Sequence, residues 1–134
     1  MLRHLLLITA VLVFLSMLTL CLGVACNEAA MYANDGHMPV LVKPEYGAQV
    51  EDMLNSEEEL GQQDHIKMTE KARLKWLCDI YYKVYRGRVR SVYSIGDVMI
   101  ITGEKGFCVT FPITAILLIF YVFKVFGGSE RRGK

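Results

Sequence analysis

Two stretches of this sequence are apolar for longer than a small soluble core could hide. From Leu5 to Ala25 the chain reads LLLITAVLVFLSMLTLCLGVA, without a charge. At about 1.5 Å rise per residue, a helix of that length covers roughly 30 Å, the thickness of a bilayer's hydrocarbon. From Phe107 to Phe126 it reads FCVTFPITAILLIFYVFKVF, with Lys124 as its one charge, close enough to the end to reach the headgroups. The competing reading of the second run is a buried helix of a soluble domain. A chain of 134 residues holds nothing else to surround a segment that is apolar on every face. The expected fold class is therefore an α-helical membrane protein with two apolar spans and an intervening polar segment that contains an amphipathic helix.

Residues 1–26 read as an N-terminal transmembrane segment or a signal sequence. Arg3 and His4 precede the run and small residues, Gly23 and Ala25, close it, as in a cleaved signal. The run itself is longer than the roughly 7–15 residues of a usual signal core, which favours a retained anchor. Residues 94–126 read as a short interfacial helix followed by the C-terminal transmembrane helix. Ser94 and Asp97 have the S-x-x-D spacing of a capping box and are taken as the helix cap. An unbroken helix from there would carry Glu104 and Lys105 into lipid, so a break is expected at Gly103–Gly106. The transmembrane helix would then start near Phe111, capped by Thr110, with Pro112 in its first turn and Tyr121 as an interface anchor. Residues 127–134 form a basic tail with Arg131, Arg132 and Lys134.

Between the runs, residues 27–93 read as a polar segment with short helices. Asn34-Asp35-Gly36, Pro39, Pro44 and Gly47 are turn signals, and Met38 to Val42 is either a strand or a loop dipping against the membrane. Ser56 and Glu59 make a second capping box, which puts a helix near 57–63 with Glu57, Glu58 and Glu59 in its first turn. Leu74, Leu77, Cys78, Tyr81 and Val84 recur at the spacing of one helical face, so Lys67 to Tyr85 is expected to be the amphipathic helix. That helix lies at the membrane surface or packs its apolar face on a small core. With the cluster that follows, it supplies the expected membrane-surface contacts: Lys71, Lys75, Trp76, Arg86, Arg88 and Arg90.

Composition narrows the function only by exclusion. The net charge is +1 and no basic excess points to nucleic acid. Cys21, Cys26, Cys78 and Cys108 lack the short paired spacing of a zinc site, so no metal and no cofactor is expected. In an oxidising compartment Cys26 and Cys78 are the pair that could bridge. Asp35, His37, His65, Asp79 and Asp97 are scattered singly, and no nucleotide-binding, zinc-protease or nucleophile-elbow motif appears, so no catalytic residue is assigned. The expected partners are the lipid bilayer and other membrane proteins or the chain itself. Arg3 before the first span and Lys124 and the basic tail after the second put both termini on the cytoplasmic side of a cell membrane. The expected role is a membrane-anchored interaction or scaffold subunit, the alternative a self-assembling, holin-like pore.

Asn34-Asp35-Gly36-His37-Met38-Pro39-Val40, the approach at Asp64-His65, the R-L-x-x-L-x-D-I pattern from Arg73 to Ile80 and Ser94-Ile95-Gly96-Asp97 stand in that order along the chain. Together they resemble an uncharacterised bacterial membrane-protein family, a domain of unknown function with Asn-Gly-x-Met-Pro-Val and Ser-Ile-Gly-Asp motifs. The resemblance covers about residues 30 to 123. It implies that the first motif leads through a polar helix to a Ser-Ile-Gly-Asp segment opening the last transmembrane helix, and it implies no activity.

Overall fold

In the computed structural model, which describes residues 1–61 and 64–126, the longest elements are two helices, α1 (Leu2–Ala33) and α3 (Ile95–Phe126). Each is long and apolar enough to cross a membrane. Between them lie a strand β1 (Met38–Val40), a helix α2 (Gly47–Glu59), a strand β2 (His65–Lys67) and the strands β3 (Tyr81–Tyr85) and β4 (Arg88–Tyr93). Short 3-10 turns occupy Pro44–Tyr46 and Lys75–Leu77. The chain divides into two compact units, one of Met1–Leu20 with the residues from Ile101 onward, the other of Cys21–Ile100.

In the first unit the helices touch through glycine and serine. A Cβ added to Gly103 would lie 2.6 Å from the Leu20 backbone N and 2.7 Å from the Ser16 carbonyl oxygen, and one on Gly106 would lie 2.6 Å from Ser16 Oγ. These glycines let two backbones approach, as small residues do where helices meet. The expected break at Gly103–Gly106 is therefore corrected: α3 is continuous through it, and there is no separate interfacial helix. Thr110 caps nothing, since its hydroxyl donates to the Gly106 carbonyl 2.8 Å away inside the helix, and Thr114 does the same to Thr110 at 2.9 Å. Pro112 stands in the helix interior rather than in a first turn. The basic tail, residues 127–134, lies outside the described residues.

The second unit has a small core of Ala30, Met38, Leu77 and Cys78, with Cys26, Ala29, Met31, Met68 and Ile95 packed around it. β1 is its middle strip. It pairs in parallel with β2, Met38 opposite His65 and Val40 opposite Lys67, and on its other edge Val40 bridges Asp79. The Asp79 N–H donates to the Pro39 carbonyl at 3.1 Å, and the Leu41 N–H donates to the Asp79 carbonyl at 2.9 Å. Chain reversal after α1 uses Asp35 and Gly36, both at positive φ (58° and 88°), with the Gly36 N–H donating to the Met31 carbonyl at 2.9 Å. That is where the Asn-Asp-Gly signal stands. Asn34 holds the far loop to this helix end: its side chain donates to the Ala30 and Arg73 carbonyls and accepts from the Arg73 N–H.

Two helix expectations fail in this unit. No helix spans Lys67 to Tyr85, because the backbone there pairs with other segments. Leu77 and Cys78 do turn inward, at 5% and 0% exposure, but from a 3-10 turn, and Tyr81–Tyr85 joins β4 in an antiparallel hairpin. The Tyr-Tyr-Lys-Val-Tyr run has the aromatic and β-branched composition of a strand. The helix expected near 57–63 is α2, which begins ten residues earlier at Gly47. Val50, Met53 and Leu54 give it an apolar face at helical spacing, and Val50 is buried to 1%. Ser56 is consequently interior and donates to the Asp52 carbonyl at 2.7 Å, and Glu57–Glu59 form the last turn, not the first. All four cysteines are free thiols, including Cys26 and Cys78.

Candidate functional site

α2, β2 and the strip beside β1 bring three ionisable side chains together. β1 lies between the two strips, with His65 opposite Met38 on one edge and Asp79 bridged to Val40 on the other. α2 packs on β2 and presents Glu57 to His65. The His65 Nδ1 is 2.9 Å from Glu57 Oε2, within hydrogen-bond distance. The other ring nitrogen, Nε2, lies 3.6 Å from Asp79 Oδ2, an ion-pair distance when His65 is protonated. The three line a cavity of about 200 Å3 whose walls include Val40, Val50, Leu54 and Ser91.

Asp79 is the unusual member. Its side chain is 5% exposed and its Oδ1 is buried without a hydrogen-bond partner among the described residues. Burial pushes its carboxyl up to about 7; the negative charges of Asp97 and Glu57 push the same way, and His65 pulls it back. Burial likewise pushes the neighbouring Cys78 thiol up, with Asp79 adding to it. A carboxyl that changes charge near neutrality, coupled to an imidazole with a second carboxylate behind it, can take up and hand on a proton. Among the described residues no group of three or more His, Cys, Asp or Glu side chains is placed to hold a metal ion.

A second polar cluster joins the last part of α1 to the start of α3. The Asp97 N–H donates to Ser94 Oγ at 3.0 Å and the Ser94 N–H donates to Asp97 Oδ2 at 2.8 Å, which is the reciprocal geometry of a capping box. The Asn27 amide closes the circuit, donating from Nδ2 to Asp97 Oδ1 at 2.7 Å and accepting at Oδ1 from the Ser94 hydroxyl at 2.8 Å. Ser94 is fully buried. Gly96 is required here, since a Cβ would collide with Asn27 Oδ1 and fall 2.8 Å from the Gly23 carbonyl oxygen. The Ser-Ile-Gly-Asp run is thus a cap and a close helix contact in one.

The six surface residues are all exposed but belong to two places. Lys71, Lys75 and Trp76 lie in the connection between β2 and β3, where Trp76 is 66% exposed. Arg86, Arg88 and Arg90 belong to the β3–β4 hairpin, whose two-residue turn is Arg86 and Gly87 at φ 51° and 75°. Arg86 and Arg90 stack over Tyr85, 5.2 and 5.8 Å from its ring centre. Arg90 reaches that ring because the register shifts after Lys83, which leaves Arg90 as an extra residue in β4.

The cluster of Glu57, His65 and Asp79 escaped the sequence reading, which met His65 and Asp79 singly and placed Glu57 in a helix's first turn. No spacing marks them, because only the parallel pairing of β1 unites positions so far apart. Over residues 2–109 the chain matches, and so belongs to, a family of unknown function, DUF5317. This agrees with the resemblance to a family without an assigned activity, and the match takes in the first long helix as well. No curated protein and no solved structure matches the chain.

Proposed function

We propose, from membership in a family without an assigned activity, that this chain is an integral membrane protein of two spans serving as a membrane-anchored interaction or scaffold subunit. The observation that carries the reading is the outward apolar surface of α1 and α3. In the 18-residue apolar window of each helix, 6% and 0% of the residues are buried. Phe14, Phe111, Ile116, Phe120 and Phe123 are each more than half exposed. Removing a large apolar side chain from water is worth about 1.5–3 kcal/mol, so a surface of this kind strongly favours lipid over water. The bilayer is then the first partner.

Two crossings put residues 34–94 on one side and both termini on the other. Arg3 and Lys124 flank the outer span ends, and Arg131, Arg132 and Lys134 follow in the sequence, so the termini are cytoplasmic under the positive-inside rule. Lys71, Lys75, Trp76, Arg86, Arg88 and Arg90 then lie on the opposite side, where cationic groups meet lipid phosphates and rings settle among headgroups. The exposed Arg–Tyr hairpin also has the composition of a protein-contact surface, in which Tyr and Arg are enriched.

The experiment is cross-linking in intact membranes with identification of the captured proteins. A scaffold subunit captures a defined protein other than itself, and replacing Arg86, Arg88 and Arg90 together by Gln weakens that capture. Retrieval of the chain alone contradicts the scaffold role and favours the self-assembling pore.

A further inference from the structure

Glu104 and Lys105 stand side by side on α3, both exposed, and neither forms an ion pair with a described residue. Their own helix offers no counter-charge: the side chains three and four positions away are Ile100, Ile101, Thr102, Phe107, Cys108 and Val109. The facing helix offers none either. The contact of Gly103 with Leu20 and Ser16 sets this pair level with residues 16–20 of α1, inside a run uncharged from Leu5 to Asn27.

Under the two-span reading above, on which this inference rests, a slab of roughly 30 Å that begins at Arg3 takes about 20 residues and ends near Gly23. The level of Glu104 and Lys105 lies about one turn inside that edge. Shifting the slab outward to free them would leave Leu22, Val24, Val98 and Ile101, which are 47%, 43%, 39% and 49% exposed, without lipid cover. Charged side chains at such a depth persist where they meet a partner charge.

We propose that a second copy of the chain supplies it. Two copies, parallel and related by a two-fold axis along the membrane normal, set Glu104 against the partner's Lys105 and Lys105 against the partner's Glu104. One face carrying both signs at adjacent positions complements itself, which is what an isologous contact needs. A different membrane protein would have to bring its own matched pair of charges to the same level.

The test uses the full chain in membranes, with Cys108 as reporter, since it is exposed and one turn beyond Glu104. Copper–phenanthroline oxidation gives a disulfide-linked dimer that Cys108→Ser abolishes. Two co-expressed copies with different tags co-purify in mild detergent. E104K and K105E each set like charges opposite one another and reduce that capture about tenfold, near 1.4 kcal/mol. E104Q, which only removes a charge, reduces it less. The double exchange E104K/K105E restores the complementary pair and recovers capture.

Single variants that capture like the wild type overturn the proposal, as does a double exchange that does not recover or a wild-type chain that pellets with membranes but never cross-links. Carbonate washing of every variant separates loss of the contact from loss of membrane insertion. Lost capture in a chain that still pellets reports the contact, whereas release of the wild-type chain removes the membrane reading beneath it.

Discussion

The Asp79 side chain is left 5% exposed on folding, and its Oδ1 gains no hydrogen bond among the described residues. Its carboxyl therefore keeps its proton up to about pH 7 in the folded chain, against 3.8 for an ordinary aspartate. Between these values the folded state binds more protons than the unfolded one, so stability falls as pH rises through that window and is flat above it. The melting temperature of the detergent-solubilised protein should drop from about pH 5 to about pH 8, and Asp79→Asn should remove most of that drop. An equal drop in both proteins would place the titration elsewhere. At Asn27 the expected effect is plainer. Asn27→Ala leaves Asp97 Oδ1 without its partner and the buried Ser94 hydroxyl with its Asp97 bonds alone, and should destabilise by about 1–3 kcal/mol in denaturant titration. A change under about 0.5 kcal/mol would mean that water replaces the amide. Ser94 and Asp97 could be read from the sequence because a capping box is complete within four residues. Asn27 could not, since its bonds cross 67 and 70 positions.

For elements, the two long helices were legible because their apolar runs need no partner segment to identify them. Their extent was not. The Gly-Glu-Lys-Gly stretch at 103–106 has the composition of a turn, and only the facing backbone of Ser16 and Leu20 gives the glycines another purpose. The 67–85 stretch failed for a related reason. Its period of three and four is real, and Leu77 and Cys78 do face inward, but parallel pairing with β1 is a distant event that leaves no local mark. Gly103→Ala weighs these effects against each other. Alanine gains about 1 kcal/mol over glycine in a helix interior, while a methyl forced against backbone atoms costs about 1–3 kcal/mol. The clash is with two backbone atoms of α1, 2.6 and 2.7 Å from the added carbon, so the variant should melt lower. A higher melting temperature would show that the helices do not approach at Gly103.

For the molecule as a whole, the exposed apolar surfaces of α1 and α3 are the basis of the proposed two-span reading. Under the proposed orientation, a membrane-impermeant amine reagent on intact cells should label Lys43, Lys67, Lys71, Lys75 or Lys83 and spare Lys124 and Lys134; the opposite pattern would invert it. Alkaline carbonate extraction is the direct test of whether α1 and α3 are embedded in lipid. Carbonate strips proteins held by charge or by a soluble partner, whereas helices whose backbone and side chains are satisfied only in lipid stay behind. The full chain should remain in the membrane pellet and leave it only with detergent. Recovery of the chain in the carbonate supernatant would contradict the two-span reading.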